Sequence, residues 1–323
     1  MSWLTRLRPD PFLLAIITAA LVGSFLPVSG VGIEIVDWLT TAAIALLFFL
    51  YGARLSPQQT LTGLKHWRLH LTILVFTYVV FPLVGLGIAA LAGNWLSPAM
   101  VTGLVYLTLV PSTVQSSIAF TSIARGNVAG AVVSASASNI LGVFLTPALC
   151  WLVLSGRIAF TTQAIVDIML QLLLPFVLGQ LSRRWTADYV KSHPQLKLVD
   201  RGSIVLVVYA AFAAGMREDM WSQTSLAEIG ILIAICLVVL AVMLWGTWWV
   251  ARRLGFDLED AIAIQFCGTK KSLASGLPMA SVLFAGSPIG LLMLPLMVFH
   301  QAQLMACASL AGRYARRPEP AAD

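Results

Sequence analysis

Two adjacent lysines stand where lysines are expensive. Lys270 and Lys271 lie in Gln265-Phe266-Cys267-Gly268-Thr269-Lys270-Lys271-Ser272, inside an apolar stretch over about 260–285. If that stretch spans a bilayer, each charge near its centre costs roughly 2.5 to 3.5 kcal/mol on insertion scales, and adjacent like charges repel besides. Such a pair needs a water-filled cavity, a counter-charge or loss of a proton, and it marks a candidate ion or substrate pathway. Neighbouring residues of a helix point about 100° apart, so the two lysines need not do the same job. The plain alternative is that they mark a helix end, with 272–285 a short re-entrant segment.

A second polar cluster, Val110-Pro111-Ser112-Thr113-Val114-Gln115-Ser116-Ser117, interrupts another apolar stretch. Proline removes a backbone donor and clashes with the preceding turn, so a break is expected there. The candidate binding groups are Ser112, Thr113, Gln115, Ser116 and Ser117 in one stretch. In the other they are Gln265, Gly268, Thr269, Lys270, Lys271 and Ser272, followed by Ala274-Ser275-Gly276-Leu277-Pro278. Serine and threonine in spanning helices often only bond back to the preceding turn, which is the plain reading of the first cluster. Ser134, Ser136, Ser138 and Asn139 add polar groups to a third stretch. Their spacing is not that of one helix face, and small residues commonly serve helix packing. Ser134 and Asn139 are kept as candidates. His300, with Gln301 and Gln303, reads as a packing or interfacial residue, with a proton relay as the alternative.

Bond-making chemistry is not indicated. No His-rich metal motif and no central pair of acids is present, so no enzyme, no catalytic residue and no metal site is expected. Cys150, Cys236, Cys267 and Cys307 lie in apolar stretches without C-x-x-C spacing and read as small hydrophobes, with Cys267 notable for its neighbours.

The elements that position these groups follow from composition. The chain of 323 residues is 59% hydrophobic and 11% charged, with a mean hydropathy of +0.89. A soluble domain carries about 25% charged residues, because water must wet its surface. Ten apolar segments can be marked, over about 11–28, 33–53, 69–92, 98–123, 127–154, 163–183, 202–217, 226–251, 260–285 and 288–311. A span takes about 20 residues, so ten of them leave no room for a soluble domain. One membrane domain over 1–323 is expected. Arg6 and Arg8 precede the first segment without a clear small-residue cleavage site, so that segment is read as a helix rather than a leader.

Charge tests the division. One side receives Arg6, Arg8, Arg54, Lys65, Arg68, Arg125, Arg183, Arg184, Lys191, Lys197, Arg201, Arg252, Arg253, Arg313, Arg316 and Arg317; the other receives only Arg157 and Arg217. Basic loops stay in the cytoplasm, so both termini are expected there, with the protein in a bacterial inner membrane. The two remaining basic residues are Lys270 and Lys271. Glu34, Asp37, Glu218, Asp219 and Glu228 fall at outer edges. Asp188, Asp200, Asp257, Glu259 and Asp260 fall at inner ones, and Asp167 about a turn inside the sixth segment. The net charge of +6 is thus a matter of membrane orientation, and no nucleic acid is expected as a partner.

The longest polar link, 183–201, falls near the middle. Two halves, 1–160 and 161–323, then hold five segments each. An odd number per half means that similar halves insert in opposite orientations, the inverted-repeat plan of many secondary transporters. The fourth and ninth segments correspond, and both are interrupted. Paired breaks of this kind point to a binding site at the membrane midplane, where irregular backbone is tolerated only beside protein or a water-filled cavity.

Ala124-Arg125-Gly126-Asn127-Val128-Ala129, ending in Leu145-Thr146-Pro147, resembles a helix hairpin of the bile acid:sodium symporter family. Gly268 and Ser272 can be laid on that family's crossing helix. The Cys-Gly-Thr-Lys-Lys-Ser form is similar to a divergent bacterial branch. The resemblance covers nearly the whole chain. It implies ten helices in a panel (about 11–53 and 163–217) and a core (about 69–154 and 226–311), with the fourth and ninth helices crossing at unwound middles. It further implies sodium behind the crossing and organic anions between panel and core. Sodium ligands of that family fall near Ser116 and Ser117, at Ala131 and Ala135 beside Ser134, and at Thr77. Its glutamate falls at Phe266, and its glutamine-asparagine pair at Lys270-Lys271.

A carboxylate that would bridge two cations is therefore replaced, and two cationic side chains are added. The expectation is a secondary transporter of a small organic anion, acting by alternating access. One ammonium would fill a former sodium site and the other face the anion, with proton-coupled or ion-independent transport. Alternatives are sodium-coupled symport, efflux of an oxyanion such as arsenite with Cys267 involved, and a membrane receptor that binds without transporting. No cofactor is implied beyond, at most, a sodium ion. The partners expected are the small anion and the bilayer, with the chain a monomer or homodimer.

Overall fold

The computed structural model describes residues 11–54, 66–155, 166, 169–193, 195–217, 222 and 224–317. Arg6, Arg8, Lys65, Arg157, Asp167, Glu218 and Asp219, and the boundary between the two sequence halves at 160, lie outside these. Among the described residues the secondary structure is helical, without strands. Six helices are long and apolar enough to cross a membrane: Val31–Arg54, Trp67–Ala92, Val128–Leu154, Leu198–Arg217, Leu226–Arg253 and Ile289–Ala315. Shorter apolar helices cover Leu14–Phe25, Pro98–Leu109 and Met169–Leu181. This is an all-α polytopic membrane protein.

The chain groups into two compact units. One comprises Met1–Arg54, Thr161–Thr224 and Leu277–Leu291; the other comprises Leu55–Phe160, Ser225–Gly276 and Leu292–Asp323.

In the first unit, α1 (Pro11–Phe25) and α2 (Val31–Arg54) are joined through Gly30 in the left-handed region, at φ +58°. The helix α7 (Met169–Leu181) packs on α2. The approach is close enough to require glycine on both sides. A Cβ at Gly52 would lie 2.1 Å from the Phe176 carbonyl oxygen, and one at Gly179 would lie 2.1 Å from that of Phe49. Small residues that admit backbone to backbone are the usual device where lipid offers no hydrophobic drive.

The polar link after α7 is not a loop. It contains α8 (Arg183–Ser192), with Val190 buried against Leu50 and Ala53 while Trp185 and Tyr189 face outward. Hydropathy misses such a helix, because it has only one apolar stripe. Similarly, α9 (Leu196–Arg217) begins six residues before its apolar run, and its Asp200 pairs with Arg54 of α2.

In the second unit, α3 (Trp67–Ala92) carries a π-helical turn over Phe76–Val80 just before Pro82. The fourth apolar segment is two helices, α4 (Pro98–Leu109) and α5 (Gln115–Ile123). Pro111 explains the break, since the residue before proline is pushed out of the helical region and Val110 sits at φ −74°, ψ 156°. Then come α6 (Val128–Leu154) and α10 (Leu226–Arg253). The ninth segment is also two helices, α11 (Leu258–Thr269) and α12 (Leu273–Leu283), and α12 belongs to the first unit from Leu277 on. Then comes α13 (Ile289–Ala315), which belongs to the second unit from Leu292 on.

The turn from α5 to α6 holds the hairpin motif. Arg125 is left-handed at φ 52°. Asn127 caps α6 by accepting from Gly130 N at 2.7 Å, and it donates to Asp260 Oδ1 at 2.7 Å. A Cβ on Gly126 would come within 2.6 Å of Ile262 Cγ2. The motif therefore locks the α5–α6 turn to the start of α11.

Candidate functional site

The two breaks meet. Ser272 N donates to the Pro111 carbonyl at 2.8 Å, and Ser112 Oγ donates to the Cys267 carbonyl at 2.6 Å. Asn139 of α6 donates to the Ser112 carbonyl at 2.6 Å and accepts from Ser275 Oγ at 2.8 Å. Ser112 N is bonded in turn to Ser138 Oγ at 3.1 Å. Backbone exposed by unwinding must be satisfied inside the protein. The hydroxyls of Ser112 and Ser138 and the amide of Asn139 do that here.

Lys270 and Lys271 occupy the break itself. Lys270 closes α11 in an extended conformation, φ −83° and ψ 148°. The helical separation of about 100° therefore does not apply. Successive side chains of extended backbone point to opposite sides, and these two go to different neighbours. Both residues are 0% exposed.

The Lys271 ammonium donates to three carbonyl oxygens: Thr77 at 2.9 Å, Thr108 at 2.7 Å and Val110 at 2.9 Å. All three N–H bonds of an ammonium are used. The Phe81 ring centroid lies 4.3 Å from Nζ. Each acceptor is a carbonyl that local sequence leaves over. Thr108 and Val110 belong to the C-terminal end of α4, where the last carbonyls lose their helical donors and the macrodipole is negative. Thr77 lies in the π-turn, where Phe81 N bonds back to the Phe76 carbonyl. The next donor in that pattern would be Pro82, which has no N–H. A further C-terminal carbonyl, that of Leu109, accepts from Thr146 Oγ1 at 3.0 Å.

Gln303 of α13 holds the Lys271 backbone from the other side. Its Oε1 accepts from Lys271 N at 2.8 Å, and its Nε2 donates to the Lys271 carbonyl at 2.8 Å. His300 Nδ1 stands 2.8 Å from Gln303 Nε2. Lys270 differs. Among the described residues its Nζ has no hydrogen-bond acceptor, and it lies 3.8 Å from the Phe120 ring centroid and 6.0 Å from that of Phe266.

Of the residues singled out from sequence, Ser112, Lys271, Ser272 and Asn139 converge at the meeting of the breaks, as does the Thr77 carbonyl. Thr113 Oγ1 is bonded to Ser116 Oγ at 2.8 Å and Ser117 Oγ at 3.0 Å, at the N-terminal end of α5. Gln115 is exposed there. Gly268 packs against Phe76 and Thr247. Three others bond elsewhere. Gln265 donates to the Leu244 carbonyl and accepts from Tyr314, Thr269 bonds Met243 and Thr247 of α10, and Ser134 bonds His70 at 2.6 Å. Thr108, Val110 and Gln303 are additions. Two of them act through backbone carbonyls, which no residue type advertises; Gln303 was visible as a polar residue in an apolar helix.

The model of the SBF-like CPA transporter family matches residues 10–316. The chain belongs to that family. A protein of Pseudomonas aeruginosa with no assigned role is 51% identical over 321 residues, 98% of this chain and 96% of its own. The Escherichia coli K12 protein YfeH, named as a symporter, is 47% identical over 312 residues, 96% of this chain and 94% of its own. The sodium/bile acid cotransporter 7 of Rattus norvegicus is 30% identical over 314 residues, 94% of this chain and 92% of its own. Membership makes this SBF-like protein a multi-pass membrane transporter and not an enzyme, with a small substrate and the bilayer as its partners.

Proposed function

We propose that the chain is a secondary transporter of a small organic anion in which Lys271 takes the place of a coupling sodium ion. The observation that carries this is the cage of three carbonyl oxygens closed on the Lys271 ammonium at 2.7–2.9 Å. Carbonyl oxygens are what a hard cation such as sodium selects. Here they are already donated to by a tethered cation, and the resemblance to the bile acid:sodium symporters lays Phe266 on their glutamate. Sodium does not fit the same carbonyls beside the ammonium. Transport is accordingly sodium-independent, driven by the anion gradient or by protons.

The architecture that goes with this reading is ten spans in two inverted five-helix repeats, arranged as panel and core, with the two broken helices crossing near the midplane. The paired breaks of α4/α5 and α11/α12 support it, as does the basic asymmetry of the loops, which puts both termini in the cytoplasm of a bacterial inner membrane. Sodium-coupled symport is the competing reading, favoured by the name of the rat relative. An arsenite-type role for Cys267 has less support, because that thiol is buried against the Ala131 carbonyl and Ser117.

Counterflow in proteoliposomes decides between the two couplings. Anion exchange unchanged when potassium replaces sodium, and lost in Lys271→Ala, is the expected result. Uptake strictly dependent on sodium would sink the proposal.

A further inference from the structure

The lipid-facing stripe of α7 continues past the end of its apolar sequence. Leu174, Val177, Leu178 and Leu181 are exposed along one side of α7, at the three- and four-residue spacing of a single helix face. Ser182 keeps helical angles, φ −77° and ψ −5°, and Trp185 N and Thr186 N both bond back to its carbonyl. The register therefore carries into α8, where the next positions of the stripe are Trp185 and Tyr189, 66% and 59% exposed. Leucine gives way there to the two residues that settle at the headgroup level, since their rings are apolar on one side and polar at one end. On its other side α8 is held by Val190, buried against Leu50 and Ala53 at the C-terminal end of α2.

The stripe also becomes basic at this point. Arg183, Arg184, Lys191, Lys197 and Arg201 stand between 183 and 201 against Asp188 and Asp200, and Asp200 is already paired with Arg54. The Arg184 guanidinium lies 3.7 Å from the Trp185 ring centroid, and both side chains are exposed. Among the described residues Arg184 makes no ion pair with a carboxylate. His193 stacks on Tyr189 with ring centroids 4.0 Å apart, at the C-terminal end of the patch. A guanidinium laid over an exposed indole keeps its N–H groups free for a phosphate while the ring stays in the interface. An acidic soluble protein would match the charge but not the rings, which continue a face that lies against acyl chains.

We propose that α8 is an interfacial helix that docks on anionic phospholipid, with Trp185 and Tyr189 at the headgroup level and Arg184 bound to a lipid phosphate. The inference needs only the membrane character of the chain. It is independent of what is transported and of how transport is coupled. Charge complementarity selects the anionic lipids, because each basic side chain near a negatively charged leaflet adds attraction that fades within a Debye length. Since α8 joins α7 to α9 and packs on α2, lipid bound there braces the first unit from outside.

The test uses the full chain in a neutral detergent, with dioctanoyl phosphatidylglycerol, dioctanoyl phosphatidylcholine and inorganic phosphate as probes. Thermal shifts and lipid adducts in native mass spectrometry are the readouts. Expected is tighter binding of the phosphatidylglycerol than of the phosphatidylcholine, and no shift with phosphate at the same concentration. Raising salt from about 0.1 to about 1 M, which shortens the Debye length from about 10 to about 3 Å, should weaken only the phosphatidylglycerol. R184Q should lower the phosphatidylglycerol affinity about fivefold, the worth of one basic side chain beside an anionic surface, and leave phosphatidylcholine unchanged. W185A should weaken both lipids, because it removes the ring that both would meet. Without added lipid both variants should melt with the wild type, since the two side chains are exposed; a merely structural role would lower the melting point. A phosphatidylglycerol affinity that R184Q leaves unchanged would overturn the inference, as would equal binding of the two lipids by the wild type. Phosphate that shifts the wild type as far as phosphatidylglycerol does would overturn it in favour of a soluble anion.

Discussion

The Lys271 ammonium stands 2.9 Å from the Thr77 carbonyl, an acceptor left over because Pro82 has no N–H to return to it. The same ammonium reaches two carbonyls at the end of α4, where Pro111 stops the helix. Two prolines on different helices thus create a cation site, and a lysine on a third segment fills it. The arrangement explains how one of the two intramembrane charges is tolerated. A hydrogen bond to a charged group contributes about 1.5 to 3 kcal/mol, and three of them offset an insertion cost of the same order.

Removing that cation should unbalance the cage. Lys271→Met leaves three carbonyls without a donor and should destabilise the protein by about 3 to 5 kcal/mol. Lys271→Ala leaves room as well, so sodium should raise its melting temperature while leaving the wild type unaffected. A thermal-shift series with sodium against choline checks both. A wild-type melting point that rises with sodium would argue against the tethered cation.

Pro82→Ala offers a test with an unusual sign. Removing a proline from a helix interior commonly restores about 3 kcal/mol. Here the new N–H competes with Lys271 for Thr77, so the variant should be about 1 kcal/mol less stable instead. Thermal melts in detergent read the sign directly.

Gln303→Leu deprives the Lys271 N–H and carbonyl of their partners at once. Leaving a buried polar group unsatisfied costs about 1 to 3 kcal/mol, and two are lost. The expected loss is therefore about 2 to 6 kcal/mol, measured by melting, with transport abolished. A Gln303→Leu protein as stable and active as wild type would show the clamp to be incidental.

In the other unit, Gly52→Ala or Gly179→Ala would force α2 and α7 apart, since each new Cβ would meet a carbonyl oxygen at 2.1 Å. A cost of about 1 to 3 kcal/mol per substitution is expected. The double variant should lose less than the sum, because both glycines serve one contact.

Orientation is tested by labelling. Cysteines introduced at the exposed positions 29, 95 and 285 should react with an impermeant maleimide from outside the cell; those at 192 and 255 should react only from the inside. The four native cysteines are buried and supply a low background. The reverse pattern would refute cytoplasmic termini.

The sequence by itself determined the membrane character, the place of most helices and both breaks, because hydropathy and proline act locally. The 59% apolar composition, Pro111, and the lysines at 270 and 271 each carry their meaning without a partner. Even the alternative that the lysines end a helix was legible, and it is half right, since α11 stops at Thr269 and α12 resumes at Leu273. What local sequence could not supply is the assignment of each polar group. Gln265, Thr269 and Ser134 look like members of the site, yet they bond to Leu244, Met243 and His70. Gln303 and the carbonyls of Thr77, Thr108 and Val110 are the groups that hold Lys271, and they show less. A carbonyl has no residue type, and which lysine reaches it depends on helices far apart in sequence meeting within 3 Å. Only the tertiary structure decided that Lys271 is bonded to three carbonyls and that Lys270 Nζ meets no acceptor among the described residues.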